Sequence, residues 1–273
     1  MTRVTLSKFL AGRQIFTIAE AQTHLQIGKD NRTLKNLISY HLKKGHIIRI
    51  RRGIYYVVPA GTSPKECQVD PYLVCSQLAP DAILAYHTAL AFWGKLHSIR
   101  NDFVYATQKK MKAPFIFQGF SYKGVSSPKN LARRHSLDFG VETLYYLSHQ
   151  LRVTSIERTF VDILDRPALT GEWEEIWRSL EAIEYLDLNA VSAYALLLEN
   201  ASTIAKVGLF LELHREVLMV EEDHLKELLR HISQKPHYLD RRSKGAQQLV
   251  KQWNLIVPRA LLEREWEEPY EDI

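Results

Sequence analysis

Residues 34–58 read LKNLISYHLKKGHIIRIRRGIYYVV and decide the fold of the N-terminal part of the chain. The first half places four leucine and isoleucine side chains and one histidine at i, i+3, i+4, i+7 and i+8, the spacing of one helix face: Leu34, Leu37, Ile38, His41 and Leu42. Gly45 is the residue type that ends a helix. Isoleucine then alternates with arginine from Ile48 to Arg51, Arg52-Gly53 offers a turn, and 54–58 returns as a strand. A helix followed by a basic β-hairpin is predicted.

Two further helices are predicted upstream of this segment. Leu6, Phe9 and Leu10 have the spacing of one face of a short helix that Gly12 ends. Thr17-Ile18-Ala19-Glu20 is typical of a capping box, and it begins a second helix that buries its apolar face and ends before Gly28. Three helices and then a hairpin within residues 1–58 predict a winged helix-turn-helix domain.

The charge of this segment indicates its partner. Residues 1–58 contain eleven Lys and Arg against two acids, a net charge of +9, whereas the whole chain has +5 and the remainder therefore −4. A positive segment of this density attracts polyanions by counterion release. Together with the predicted fold, it favours double-stranded DNA as the partner, with a small basic domain that binds a protein as the alternative.

Candidate DNA-binding residues lie on the polar face of the third helix and on the hairpin. We expect the helix to enter the major groove, where Arg and Asn pair with base edges, and the hairpin arginines to contact phosphate. The predicted set is Arg32, Thr33, Lys35, Asn36, Ser39, Lys43, Arg49, Arg51 and Arg52. The alternative for each is that it caps the helix or faces solvent.

The rest of the chain predicts a linker and a larger domain, so that the fold class is α+β. Residues 59–71 are rich in turn formers and are interpreted as the linker. Residues 72–273 are interpreted as a mixed α/β region to about 167 and a mainly helical region from about 172. Helices are predicted at 72–78, 83–93 and 154–164, the last with a Thr154 capping box, and strands at 103–107, 115–122, 141–147, 151–153 and 253–257.

Nothing in the sequence predicts catalysis, a metal or a cofactor. There is no Walker or Rossmann glycine loop, no G-x-S-x-G elbow and no H-E-x-x-H pair among the eleven histidines. His87 lies in an apolar stretch and is interpreted as a core residue. Two cysteines make neither a disulfide framework nor a zinc site, and no apolar run is long enough for a membrane span or a secretion signal. We therefore expect a cytoplasmic protein that is not an enzyme.

Two charged clusters leave alternatives open. Glu157, Arg158, Asp162, Asp165 and Arg166 fit a capping box and a helical ion pair, but the carboxylates also fit the metal site of a nuclease. A second basic group extends the DNA footprint or forms a solvated face: Lys109, Lys110, Lys112, Lys123, Lys129, Arg133 and Arg134.

Several stretches together resemble a known family. Residues 42–55 are similar to its helix-to-wing signature, and 85–90 with Trp93-Gly94 to the start of its second domain. The stretch 153–167 is the closest match, and 208–212 and 238–257 also resemble it. The family is that of the AbiEi-type antitoxins of bacterial type IV, abortive-infection toxin–antitoxin systems.

This resemblance implies two roles. The N-terminal domain would bind inverted repeats in the promoter of its own operon and repress it. The C-terminal domain would counteract a nucleotidyltransferase toxin, without a stable complex, as part of phage defence. A stand-alone winged-helix regulator without a toxin remains the alternative, followed by a DNA-binding nuclease that uses Asp162 and Asp165.

Overall fold

The computed structural model describes residues 6–27, 32–109, 113–264 and 266, and it has the predicted α+β architecture. The chain forms two compact units. The first unit comprises Met1–Ile83, Asn101–Gly124 and Thr143–Arg152, and the second comprises Leu84–Arg100, Val125–Glu142 and Val153–Ile273.

The N-terminal part of the first unit is a winged helix. Its elements are α1 (Leu6–Leu10), β1 (Ile15–Thr17), α2 (Ile18–Leu25), α3 (Arg32–Lys43), β2 (Ile47–Arg51) and β3 (Ile54–Val57). The three strands form an antiparallel sheet in the order β1-β3-β2. Leu34 and Ile38 of α3 pack with Phe9, Phe16 and Tyr55 into one core. Burial of one face of α3 is thus what holds the helix against the sheet.

The capping box at the start of α2 is confirmed. The Thr17 hydroxyl accepts a hydrogen bond from the Glu20 N–H at 3.2 Å, and the Glu20 carboxylate accepts one from the Thr17 N–H at 2.6 Å. Two backbone N–H groups that the helix leaves unpaired are therefore satisfied by side chains within a four-residue stretch of sequence. Gly28, at which the end of α2 was predicted, lies outside the described residues.

Two glycines are required by the backbone around the wing. Gly53 has φ +89° in the turn between β2 and β3, where a side chain is strained. Gly45 has φ +73° directly after α3, and a Cβ there would lie 2.8 Å from Cγ of Pro64. Gly45 therefore ends α3 and also leaves room for the segment that follows the wing.

The first unit extends beyond the predicted boundary at residue 58. The imidazole Nε2 of His149 lies 3.4 Å from the backbone nitrogens of Gln14 and Ile15, which donate to it. The guanidinium of Arg51 lies 5.0 Å from the ring centre of Phe115. The first unit thus joins segments far apart in sequence, which does not test the predicted division at 58 and 71. Whether residues 1–58 fold alone stays a prediction.

A six-stranded mixed sheet follows the winged helix. Its strands are β4 (Ile83–Leu84), β5 (Asp102–Thr107), β6 (Phe115–Phe117), β7 (Phe120–Ser126), β8 (Val141–Tyr146) and β9 (His149–Thr154), in the order β6-β7-β5-β4-β9-β8. Two helices, α4 (Pro71–Ser76) and α5 (His87–Phe92), precede β5. The predicted helix over 83–93 is therefore wrong in its first part: Leu84 pairs with Val153 in a parallel ladder, and Tyr86 has φ +57°. A short buried apolar run fits either a strand or a helix.

The second unit is mainly helical, as predicted for the C-terminal region. Its further elements are α6 (Lys129–Arg133), α7 (Ile156–Asp165), α8 (Trp173–Glu181), α9 (Leu188–Leu197), α10 (Ala201–Leu213), α11 (Glu222–Leu229), β10 (His237–Tyr238), β11 (Gln247–Val250), β12 (Leu255–Pro258) and α12 (Arg259–Leu262). Their core includes Phe160, Trp177, Phe210 and Trp253, each at most 1% exposed. Across the described part of the chain, no helix has the length and apolar character needed to cross a bilayer.

The predicted cap of α7 is wrong by one residue. Ser155, not Thr154, is the N-cap, and its hydroxyl accepts from the Arg158 N–H at 3.3 Å. Thr154 ends β9 instead, and its hydroxyl lies 2.6 Å from that of Thr159. Glu157 consequently falls one position too early for a capping box and accepts from the Asp187 N–H at 3.4 Å. Adjacent Thr and Ser both suit a cap, and only the extent of β9 decides between them.

A buried ion pair within α7 is hydrogen-bonded to α9. Nε of Arg158 lies 3.4 Å from Oδ2 of Asp162, and the two side chains are 1% and 2% exposed. The Tyr194 hydroxyl donates to Oδ1 of Asp162 at 2.7 Å, and Nη1 of Arg158 donates to the carbonyls of Leu137 and Phe139 at 2.9 and 2.7 Å. Burial raises the pKa of the Asp162 carboxyl, and the Arg158 charge opposes that shift. The helical ion pair that the sequence predicted is therefore present, and it lies in the interior of the second unit.

We expect Asp162→Ala to lower the free energy of unfolding by about 3 kcal/mol, because it leaves the Arg158 charge buried without its partner. Glu174→Ala is the matched control, since Glu174 and Arg178 form another i,i+4 pair, at 3.0 Å, with side chains 53% and 32% exposed. Its loss should cost less than about 1 kcal/mol. Urea unfolding of both variants measures the difference, and equal costs would contradict a structural role for the buried pair.

Candidate nucleic-acid interface

The structure places the six predicted residues of α3 on its exposed face. Leu34, Ile38 and His41 are buried on the other side of the helix. The exposed residues are Arg32, Thr33, Lys35, Asn36, Ser39 and Lys43. This arrangement follows from the 3.6-residue period, because residues that do not share the buried stripe point away from it. The face combines cations with an amide and hydroxyls, the groups that pair with phosphates and base edges.

The three wing arginines differ in their surroundings. Arg49 and Arg52 are exposed, and the Arg49 guanidinium lies 5.8 Å from the ring centre of Tyr55. Arg51 is partly buried, with its guanidinium over the Phe115 ring. The register of β2 against β3 shifts between Arg49 and Arg51, so the simple alternation of the sequence does not persist through the strand. Arg49 and Arg52 are therefore more accessible to a phosphate than Arg51 is.

A cleft brings the helix and the wing together. A cavity of about 180 Å³ is lined by Lys35 and Ser39 of α3, Arg49 of the wing and Gln22 of α2, above an apolar floor that includes Ile38. Three predicted residues from two elements therefore share one surface. The sequence did not predict Gln22, because its place beside the cleft depends on how α2 packs against α3. It also passed over Tyr40, which is 52% exposed on α3.

The local charge of this surface is positive. Glu20, the acid of residues 1–58 that the structure describes, is engaged by its own cap and lies 4.0 Å from Nη1 of Arg13. The other acid of that segment, Asp30, lies outside the described residues. The described carboxylate is thus held at the N-terminus of α2, and the predicted cations of α3 and the wing give this surface the positive charge that attracts an anionic partner.

A second cavity, of about 510 Å³, lies at the other end of α3. It is lined by Leu10 of α1, His41, Lys44 and His46 around the end of α3, and by Pro59 and Pro64 of the segment that follows the wing. Nδ1 of His41 and Nδ1 of His46 are 3.1 Å apart, so one ring donates to the other. Burial lowers the pKa of His41, and the nearby His46 lowers it further.

The carboxylates of the alternative nuclease site are occupied by structural partners. Asp162 is buried in its ion pair with Arg158. Oδ1 of Asp165 accepts from the Thr203 hydroxyl at 2.7 Å and from the Asn200 amide at 2.9 Å. In the described ranges, no group of three or more His, Cys, Asp or Glu residues is arranged to hold a metal ion. The geometry of these side chains matches a role in stability.

The second basic group is partly neutralised. Arg133 and Arg134 both donate to the carboxylate of Glu199. These contacts, chiefly the Arg134 hydrogen bond, lower the pKa of the Glu199 carboxyl. Lys110 and Lys112 lie outside the described residues. The group is thus not a continuous set of unpaired cations, and its extension of a DNA footprint stays a prediction. His87, by contrast, is 1% exposed with Nδ1 2.6 Å from the Leu169 carbonyl, as expected for a core residue.

Comparison with known proteins agrees with the winged helix. Residues 5–58 match the family described as "Transcriptional regulator, AbiEi antitoxin". The resemblance is therefore confirmed over this segment, which includes the helix-to-wing signature, and the matching family is one of regulators. The stretches quoted beyond residue 58 lie outside the match and stay predictions. No curated protein matches the chain.

The fold of the whole chain has a counterpart among solved structures. The crystal structure of the RV2827C protein from Mycobacterium tuberculosis superposes with a TM-score of 0.60 at 18% identity, over 96% of this chain and 94% of that one. At this identity the likeness concerns the fold. It extends the similarity from the winged helix to both units of the chain.

The His41–His46 contact predicts a pH dependence of stability. Because the pKa of His41 is lowered in the folded state, the unfolded chain binds the proton first, and stability present above about pH 6.5 is lost as the pH falls. We expect the free energy of unfolding of His41→Asn to vary less between pH 7.5 and 5.5 than that of the unsubstituted protein. His231→Asn, at an exposed position, serves as the control. Parallel profiles for the His41 variant and the parent protein would refute the prediction.

Proposed function

We propose that this protein is an autorepressor that binds inverted repeats in its own promoter through the winged helix. The single observation that carries the proposal is the exposed face of α3, where six predicted polar residues lie together in a segment that matches a regulator family. In this proposal α3 lies in the major groove and Arg49 and Arg52 contact flanking phosphates. Two copies on an inverted repeat would place their helices about 34 Å, one helical turn, apart.

The role of each element follows from what its side chains offer. Asn36 is suited to pair bidentately with adenine, and Arg32 with guanine, so that α3 supplies sequence preference. The wing cations supply affinity that does not depend on sequence. Binding to an operator that overlaps the promoter would then exclude the polymerase. In this proposal the protein acts on DNA in the cytoplasm.

We further propose that the chain counteracts a nucleotidyltransferase toxin encoded beside it, without a stable complex, in a type IV system of phage defence. The resemblance of the sequence to AbiEi-type antitoxins, which the family match covers over residues 5–58, supports this proposal. The second candidate is a stand-alone regulator, which is favoured by one observation: the family match ends at residue 58 and leaves the second unit outside it.

The DNA-binding proposal predicts two distinct mutational effects. Asn36→Ala should weaken binding to the chain's own promoter by roughly tenfold or more, with little effect on random duplex, because a base contact carries sequence information. Arg49→Ala with Arg52→Ala should weaken both and reduce the slope of log K against log salt by about two units. Lys226→Ala, an exposed cation of α11, is the control. Fluorescence anisotropy over a salt series measures both effects, and equal affinity of the parent protein for promoter and random DNA would refute repression.

The antitoxin proposal predicts rescue of growth in co-expression with the neighbouring gene product. Point substitutions are preferable to removal of residues 1–58, since that segment is only part of the first compact unit. If rescue is a property of the second unit, the variant with Asn36, Arg49 and Arg52 all replaced by Ala should rescue growth while derepressing a promoter reporter. A neighbour that is harmless when expressed alone would leave the stand-alone regulator.

A further inference from the structure

The small sheet of the second unit has one buried and one exposed face. Strand β12 is central, parallel to β10 and antiparallel to β11. Leu255 and Val257 point into the core and are 0% exposed. Tyr238, Ile256 and Leu249 are register partners across the three strands, so they share the opposite face. Tyr238 and Leu249 are 45% and 43% exposed, and an aromatic and aliphatic row therefore faces outward.

Exposed cations lie on both sides of this row, at the two ends of the strands. Lys235 precedes β10 and Lys251 follows β11 at one end of the sheet, and Arg241, Arg242, Lys244 and Arg259 lie at the other. Hydrogen bonds hold these ends together: the Asn254 amide donates to the Gln234 carbonyl at 2.7 Å, and the Arg259 N–H donates to the Ala246 carbonyl at 2.9 Å. The chain segments beside Lys235 and Arg259 are thus held at the two ends of the sheet.

The segment that contains these cations has a local excess of positive charge. Residues 235–259 contain six Lys and Arg and one acid, Asp240, a net charge of +5, although residues 59–273 as a whole sum to −4. Within the described ranges, none of the six cations forms a salt bridge with a carboxylate. Elsewhere in this unit, exposed arginines such as Arg133, Arg134 and Arg215 do pair with glutamates. Unpaired exposed cations on one small sheet indicate an anionic partner.

We propose that this sheet face binds a single-stranded nucleic acid, with an unpaired base stacked on Tyr238 and its phosphates held by the cations at the two ends. An aromatic ring on an exposed sheet face between basic residues is a platform on which unpaired bases stack. A base pair inside a duplex has both faces already stacked, so the ring discriminates against duplex. This surface is distinct from α3 and the wing, so a negative result for single-strand binding would leave the promoter proposal intact.

The test uses the full chain with Lys43, Arg49 and Arg52 replaced by Ala, which removes three exposed cations from the proposed duplex-binding surface. Labelled 12-nucleotide single strands of RNA and of DNA, and a duplex of the same sequence, are titrated by fluorescence anisotropy. We expect Tyr238→Ala in this background to weaken single-strand binding by about tenfold. Arg241→Ala with Arg242→Ala should lower the salt slope by about 1.4 units. Binding of either single strand supports the proposal, and the comparison of the two identifies the sugar that is accepted.

Tyr185→Ala is the matched control, because Tyr185 is another tyrosine of the same unit and is 68% exposed. Equal losses for the Tyr185 and Tyr238 variants would overturn the proposal. So would the absence of binding to both single strands, which would leave an acidic protein as the partner of the cations, or tighter binding to the duplex. Thermal unfolding of the Tyr238 variant should be unchanged, since its ring lies on the exposed face.

Discussion

The burial of Leu34 and Ile38 on the winged-helix core is the interaction on which the candidate interface depends. These two side chains hold one stripe of α3 against Phe9, Phe16 and Tyr55. Once that stripe is fixed, the helical period directs the residues on the opposite side of α3 outward, so that the polar face needs no further interaction to expose it. Gly45 then ends the helix with φ +73°, and the wing begins at a position set by that ending.

The second unit is organised around a different constraint, the cost of burying charge. Arg158 and Asp162 are each almost completely buried, which is tolerable only because their polar atoms are hydrogen-bonded to each other, to Tyr194 and to backbone carbonyls. The same constraint explains the arrangement of the charged motif of α7. Its carboxylates satisfy neighbouring donors, whereas the cations of the small sheet around Tyr238 are left exposed.

Sequence reasoning succeeded where the information was local. The Thr17–Glu20 capping box needs only four adjacent residues, and the amphipathic pattern of α3 needs only twelve. It failed where neighbours in space decide. The stretch 83–93 contains a strand because Leu84 pairs with Val153, and the cap of α7 moves to Ser155 because β9 extends through Thr154. The extent of the first unit likewise depends on His149 and Phe115, which lie far from the wing in sequence.

The amino-acid sequence by itself determined the class of fold, the winged helix, its positive charge and the face of α3 that carries the candidate contacts, since all of these follow from composition and short-range periodicity. Tertiary structure alone decided that Arg51 packs on Phe115 while Arg49 stays exposed, and that Gln22, Lys35 and Arg49 line one cleft. It also decided that Tyr238, Ile256 and Leu249 form one row. The physical reason is that a side chain's surroundings are set by strand register and packing between distant segments, which a local pattern does not encode.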